Sequence, residues 1–199
     1  MKIFTVRHGQ TQWNTMGRIQ GHTDIPLDEA GLSQAEKLGT RLAGEKVDIV
    51  YSSDLARAAK TAEIINSHHN AEVVTTAALR EINFGIYEGR AYNEIPYDIH
   101  RHHGLNQPVP GGEGIYDYFE RISSYLDEVT AKPHGNVIIV GHFGTIRAAI
   151  CHFMQIPIED YDYKKFLIGN TAVHCFERGD DGMFRMTLEN DTSHLSLTI

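Results

Sequence analysis

Strand-like runs at Ile3 to Val6, Val47 to Tyr51, Glu72 to Thr75 and Val137 to Val140 alternate with segments whose apolar residues recur at helical spacing. No other feature limits the fold as strongly, because a chain that alternates strand and helix buries both most simply as an α/β sheet with helices on its two faces. Val137-Ile138-Ile139-Val140 is apolar at every position and Val47 to Tyr51 nearly so. A strand open to water on one face would alternate apolar and polar residues, so these runs read as strands covered on both sides.

The spacing predicts a helix capped by Asp28 or Ser33 and running to about Ala43, with Leu32, Ala35, Leu38 and Leu42 on one face. A second is expected over Leu55 to His68, capped from Ser52-Ser53-Asp54, a third over Ile115 to Thr130 and a fourth over Thr145 to Met154. Two tail strands, Thr171 to Glu177 and Phe184 to Glu189, flank the turn Gly179-Asp180-Asp181-Gly182. Leu79 to Arg90 shows no period. Ala91 to Gly114, with Pro96, Pro108, Pro110 and the cluster His100, His102, His103, reads as an irregular excursion with a short helix in its first half. The 199 residues, 41% of them hydrophobic, suffice for one domain spanning 1–199.

No apolar run approaches the ~20 residues a bilayer requires, and the chain opens on a strand instead of a signal peptide, so a cytoplasmic protein is expected. Cys151 and Cys175 stand in apolar runs and read as buried thiols, outside any disulfide framework. A formal net charge of −8 argues against nucleic acid or an anionic membrane as partner. An anionic substrate then needs a local positive site acting against the global field.

Such a site can assemble at the carboxyl ends of parallel strands, where α/β sheets bind their ligands. His8 follows the first strand beside Arg7, Arg57 lies just after the second, Glu81 follows the third and His142 the fourth. Each has a plain explanation alone. Arg57 could pair with Asp54, and the loop histidines at 100, 102 and 103 could simply be solvated. Together they form a set. An arginine in the first turn of a helix opposes the dipole unless an anion lies nearby, and two guanidinium forks suit the oxygens of phosphate. With a neutral imidazole to attack phosphorus and a carboxylic acid to protonate the leaving alcohol, the set suggests phosphoryl transfer through histidine. Zinc is the rival use of His8, His142 and Glu81, but the neighbouring arginines would repel the cation.

Arg7-His8-Gly9-Gln10-Thr11 with Trp13-Asn14, Gln20-Gly21, Ser52 to Ala58, Arg80 to Gly85 with Glu88-Gly89, and Val140-Gly141-His142 together resemble the histidine phosphatase superfamily, the phosphoglycerate mutase-like family, over nearly the whole chain. The resemblance implies a three-layer α/β/α sandwich with a mostly parallel sheet. It implies that His8 becomes a phosphohistidine, that Arg7, Arg57 and His142 hold the phosphoryl group, and that Glu81 is the proton donor. Asn14, Gln20 and Gly21 match positions lining the phosphate or substrate pocket, and Gly9 and Thr11 belong to the same motif. Members commonly have glycine after the second histidine. Here Phe143 stands there, with Gly144 next, which puts the pocket's shape in question.

Within the family the choice lies between a phosphomonoesterase and a cofactor-dependent phosphoglycerate mutase. The mutases this branch resembles carry a longer insertion than the sixty residues between Glu81 and His142, so the shorter segment favours hydrolysis. A phosphate-binding module without catalysis is a third reading, opposed by five chemically competent positions. The expected partner is a small phosphorylated substrate. No metal or other cofactor is called for, and a homodimer is left open. The excursion over 91–114 is expected to cap the pocket and set specificity. Sugar phosphates, phosphoglycerates, nucleotides and a ribazole phosphate all fit.

Overall fold

The computed structural model describes residues 1–94, 108–158 and 167–196. Four parallel strands, β1 (Lys2–Arg7), β2 (Ile49–Ser53), β3 (Glu72–Thr76) and β4 (Asn136–Gly141), run in the order β3-β2-β4-β1. Beyond β1, β5 (Val173–Arg178) and β6 (Phe184–Asp191) extend the sheet antiparallel, joined by the expected tight turn. The helices are α1 (Gln12–Thr15), α2 (Glu29–Leu42), α3 (Ala56–Asn66), α4 (Ile115–Ala131) and α5 (Phe143–Phe153).

Side chains alternate across each buried strand and feed two cores. Phe4, Val6, Val50, Ile138 and Val140 pack under Leu38 and Leu42 of α2 and Ala58, Ala62 and Ile65 of α3. Ile3, Ile49, Tyr51, Val137 and Ile139 pack under Ile122, Leu126 and Val129 of α4 and Ile146, Ile150 and Phe153 of α5. This is the α/β/α sandwich implied by the uninterrupted apolar runs. The pairing of Arg7 with Gly141 and Ser52 with Val140 brings the carboxyl ends of β1, β4 and β2 level. What leaves those ends shares one edge.

Several local expectations change. Asp28, not Ser33, caps α2, accepting from the Gly31 N–H at 2.8 Å. Leu32 points outward, and the α2 face instead buries Gly31 and Gly39, since a methyl at 31 would lie 2.0 Å from the Gln10 carbonyl oxygen. None of Ser52, Ser53 and Asp54 caps α3 by side chain; Asp24 reaches from a distant loop to accept the Ala56 N–H at 2.7 Å. Asp54 instead takes a two-pronged pair from Arg80 at 2.7 and 2.6 Å, which removes it as a partner for Arg57. α5 starts at Phe143, two residues earlier than its apolar period indicates, because His142 occupies the cap position.

Cys151 and Cys175 are buried and unpaired. Among the described residues no helix is long and apolar enough to cross a membrane. His100, His102, His103 and the expected short helix lie outside the described residues. The returning limb of the excursion is pinned to the segment after Glu81, with Ile86 N–H on the Pro110 carbonyl at 3.1 Å and Glu113 N–H on that of Asn83 at 2.9 Å.

Candidate active site

His8 stands where β1 ends, and it is 3% exposed. Its Nδ1 lies 2.7 Å from the Gly9 carbonyl oxygen. A carbonyl only accepts, so the ring proton sits on Nδ1 and the lone pair on Nε2. Burial, then the charges of Arg57 and Arg7, hold the His8 pKa well below 6.5. The imidazole is therefore neutral at neutral pH, with the Nε2 lone pair available. Gly9 has no alternative, since a methyl there would lie 2.5 Å from the Gly31 carbonyl oxygen. Its N–H donates to the Thr61 hydroxyl at 3.1 Å, and that hydroxyl donates to the Arg57 carbonyl at 2.7 Å, tying the loop to α3.

Arg57 is fully buried, and every arm of its guanidinium is placed. Nη1 donates to the Thr23 carbonyl at 2.9 Å, Nη2 to that of Gly21 at 2.8 Å, and Nε to His142 Nδ1 at 3.2 Å. These carbonyls relieve the clash between a cation and the first turn of α3, yet they carry no formal charge. Burial lowers the Arg57 pKa to about 10 and lowers that of Arg7 as well. Because the Arg57 Nε–H can only donate, His142 Nδ1 must accept and its ring proton sits on Nε2. His142 Nε2 is buried without a partner among the described residues, as is Arg7 Nε. The two imidazole centroids are 5.2 Å apart. One buried and one partly buried cation, with two bare donors around a free lone pair, form a site that an anion would complete.

Glu81 sits at one side of this cradle, half buried. Its Oε2 accepts the Gly144 N–H at 3.1 Å, and its Oε1 accepts the Tyr118 hydroxyl at 3.1 Å and the Ile82 N–H at 3.0 Å. Burial, and then Glu81, raise the Tyr118 pKa well above 10, so that hydroxyl remains a donor. A methyl at Gly144 would come within 2.3 Å of Glu81 Oε1. The close approach of Glu81 thus depends on glycine at 144. At 143 the side chain points elsewhere. The Phe143 ring is half buried against the α4/α5 core, with the Arg147 guanidinium carbon 3.9 Å from its centroid and that of Arg7 5.3 Å away.

The loop after β1 is held from within. The Thr11 hydroxyl is buried, accepts the Asn14 N–H at 3.2 Å and donates to Gln20 Oε1 at 3.1 Å, while Asn14 Oδ1 accepts the Thr11 N–H at 3.0 Å, which closes a capping box. Gly21 adopts φ 52°, and a methyl there would lie 2.1 Å from Glu88 Oε1. Glu88 receives the N–H groups of His22, Thr23 and Phe84 at 2.7, 2.8 and 3.2 Å, clamping the carbonyls that face Arg57.

The sequence pattern names Glu88 without a role, reads Tyr118 only as part of the apolar face of the helix over Ile115 to Thr130, and passes over Thr23, Tyr92, Arg147 and Asn170 entirely. Their contacts join segments far apart in the chain, which periodicity and local motifs do not encode. Tyr92 is one such case. The residue is 55% exposed, yet desolvation of its hydroxyl and then Glu81 raise its pKa while Arg7 and Arg147 oppose the rise, so the hydroxyl end lies near the charges of the site. Among the described residues no three of His, Cys, Asp and Glu gather as a metal site. Arg57 lies between His142 and the loop carbonyls, and Glu81 is turned to main-chain and phenolic donors.

A model of the Histidine phosphatase superfamily (branch 1) matches residues 3–192. Phosphoserine phosphatase 1 of Hydrogenobacter thermophilus is 33% identical over 171 residues, 81% of this chain and 80% of that protein. Phosphoglycerate mutase-like protein 4 of Arabidopsis thaliana is 34% identical over 207 residues, 99% of this chain and 88% of its own length. A crystal structure of a phosphoserine phosphatase mutant from Entamoeba histolytica in complex with phosphoserine superposes with a TM-score of 0.82 at 30% identity, covering 98% of each chain. The arrangement of β1, α3 and β4 around His8, Arg57 and His142, with a match running almost end to end, makes this chain a member of the histidine phosphatase superfamily, branch 1.

Proposed function

We propose that the chain is a phosphomonoesterase that hydrolyses small phosphorylated metabolites through a phosphohistidine on His8. One observation carries the reading: the free Nε2 lone pair of a neutral imidazole stands beside the unpartnered Nε2–H of His142, with Arg7 and Arg57 around it. His8 Nε2 forms the bond to phosphorus while the ester bond breaks, and Glu81 gives its proton to the leaving alcohol. Arg7, Arg57 and His142 bear the charge of the three phosphoryl oxygens. Water then attacks the phosphohistidine, yielding its proton to Glu81, and phosphate leaves. The guanidinium groups and the second imidazole supply the positive charge a metal would otherwise bring, so turnover should persist in excess chelator.

Hydrolysis is favoured over isomerisation by the sixty residues between Glu81 and His142, and by relatives named as phosphoserine phosphatases. A mutase is the second reading, because another relative is named phosphoglycerate mutase-like. A panel of phosphoserine, phosphoglycerates, sugar phosphates and nucleotides decides between them. With 3-phosphoglycerate and a trace of 2,3-bisphosphoglycerate, free phosphate should appear faster than 2-phosphoglycerate. Faster isomerisation reverses the assignment.

A further inference from the structure

Behind His8 lies an unfavourable piece of backbone. Thr171 has φ 54°, a left-handed conformation that β-branched residues avoid, and it is fully buried. Its N–H donates to the Arg7 carbonyl at 3.0 Å and approaches that of His8 at 3.4 Å. Asn170 Nδ2 donates to the same His8 carbonyl at 3.0 Å. The β1/β5 pairing ends at Val6 and Val173. Residues 170 and 171 therefore hold the two main-chain carbonyls that the ladder no longer reaches, those of Arg7 and His8.

The conformation of Thr171 is held from the far end of the chain. Its hydroxyl donates to the Asn170 carbonyl at 2.8 Å, so toward His194 Nε2, 3.0 Å away, it must accept. His194 follows β6 in the turn Ser193–Ser196 and is fully buried. With its proton on Nε2, Nδ1 is left buried with no partner among the described residues. A residue chosen only to fill this space would carry no bare buried acceptor. Among the described residues the one polar contact the His194 ring makes is to the strained threonine, and strained backbone persists where its surroundings over-determine it. Asp191 and Arg41 form an ion pair that fastens the end of β6 to α2 beside it.

We infer that His194 is a positioning residue for the His8 nucleophile, acting through the Thr171 hydroxyl on the backbone that carries residues 7 and 8. The inference rests on His8 being the nucleophile. The His8 ring takes its direction from its own main chain and from the Gly9 carbonyl on Nδ1, so a shift of that main chain moves Nε2 relative to Arg57 and His142. A misplacement of about 1 Å costs up to ~100-fold in rate.

The test uses the full-length chain with His194→Leu, His194→Gln, Thr171→Val and the double variant His194→Leu/Thr171→Val. The readouts are the rapid-quench rate of phosphoenzyme formation from nitrophenyl phosphate, the KM, the Kd for inorganic phosphate and the Tm. His194→Leu and Thr171→Val should each slow phosphoryl transfer roughly tenfold, with KM and phosphate affinity within about twofold. The double variant should be no slower than Thr171→Val, because the valine already removes the contact that His194→Leu removes. His194→Gln, whose Nε2 can donate from the same place, should recover most of the rate. A wild-type transfer rate in His194→Leu, losses that multiply in the double variant, or no recovery with glutamine overturns the inference. If His194→Leu does not fold, Thr171→Val and His194→Gln give the same comparison. Absence of an acid-labile phosphoenzyme in the wild type would refute the nucleophile reading instead, and kcat of the same variants would still decide whether the contact matters.

Discussion

At the scale of single residues, Gly144 shows how a local departure in sequence is absorbed in space. Glycine is required where Glu81 crosses the start of α5, and Phe143 turns its ring toward Arg147 and Arg7. Gly144→Ala should push the Glu81 carboxylate off the main-chain N–H that holds it. Esters with poor leaving groups, which need a proton, should then slow by roughly 10- to 100-fold, within the range general acid catalysis contributes. Nitrophenyl phosphate should slow far less, and equal losses on both would show that Glu81 is not the acid. Phe143→Gly should alter KM and the rank order of substrates while leaving phosphohistidine formation in place, through loss of contacts of about 1 kcal/mol. An unchanged substrate order with a lower Tm would show the ring to be structural. Arg7, His8 and His142 are legible in the sequence because each adjoins a strand end. Thr171 and His194 are not, because their importance lies in one hydrogen bond between distant segments.

At the scale of elements, existence and type follow from periodicity, but ends depend on contacts made elsewhere. Asp28 lies next to the helix it caps and is readable. Asp24 caps α3 from across the site, and no local rule selects it over Ser53 or Asp54. Asp24→Ala should therefore destabilise the protein by about 1 kcal/mol, the usual cost of a lost cap. It should also weaken phosphate binding, because the neighbouring Thr23 carbonyl orients Arg57. Asp54→Ala removes only a partly exposed pair with Arg80 and should cost about 0.5 kcal/mol or less. Urea denaturation of the two variants checks the ordering, and a larger loss for Asp54→Ala would contradict this account of α3.

At the scale of the whole molecule, alternation of strand and helix shows the class of fold, and parallel strands explain why distant residues meet. The order β3-β2-β4-β1-β5-β6 is a further fact, because neighbour choice depends on crossovers that leave no trace in composition. Burying histidines as neutral groups has a consequence for stability. Burial lowers the His174 pKa to about 4, and burial with neighbouring arginines lowers those of His8 and His142. Unfolded histidine binds its proton near pH 6.5, so between that pH and the folded pKa the unfolded state holds more protons. The stabilisation is complete above about pH 6.5 and lost as pH falls, with His174 alone contributing roughly 3 kcal/mol over the range to pH 4. Denaturant midpoints should hold from pH 7.5 to about pH 6.5 and fall from there to pH 5, and a profile flat down to pH 5 would contradict the buried neutral state.

All of this converges on one bond, between phosphorus and Nε2 of His8. The most direct measurement is rapid-quench trapping of the enzyme with a phosphorus-labelled ester, followed by exposure of the labelled protein to acid and to alkali. Wild-type protein should carry label that acid releases and alkali spares, and a folded His8→Ala variant should show neither label nor turnover. Label stable to acid, or turnover surviving without His8, would contradict the phosphohistidine.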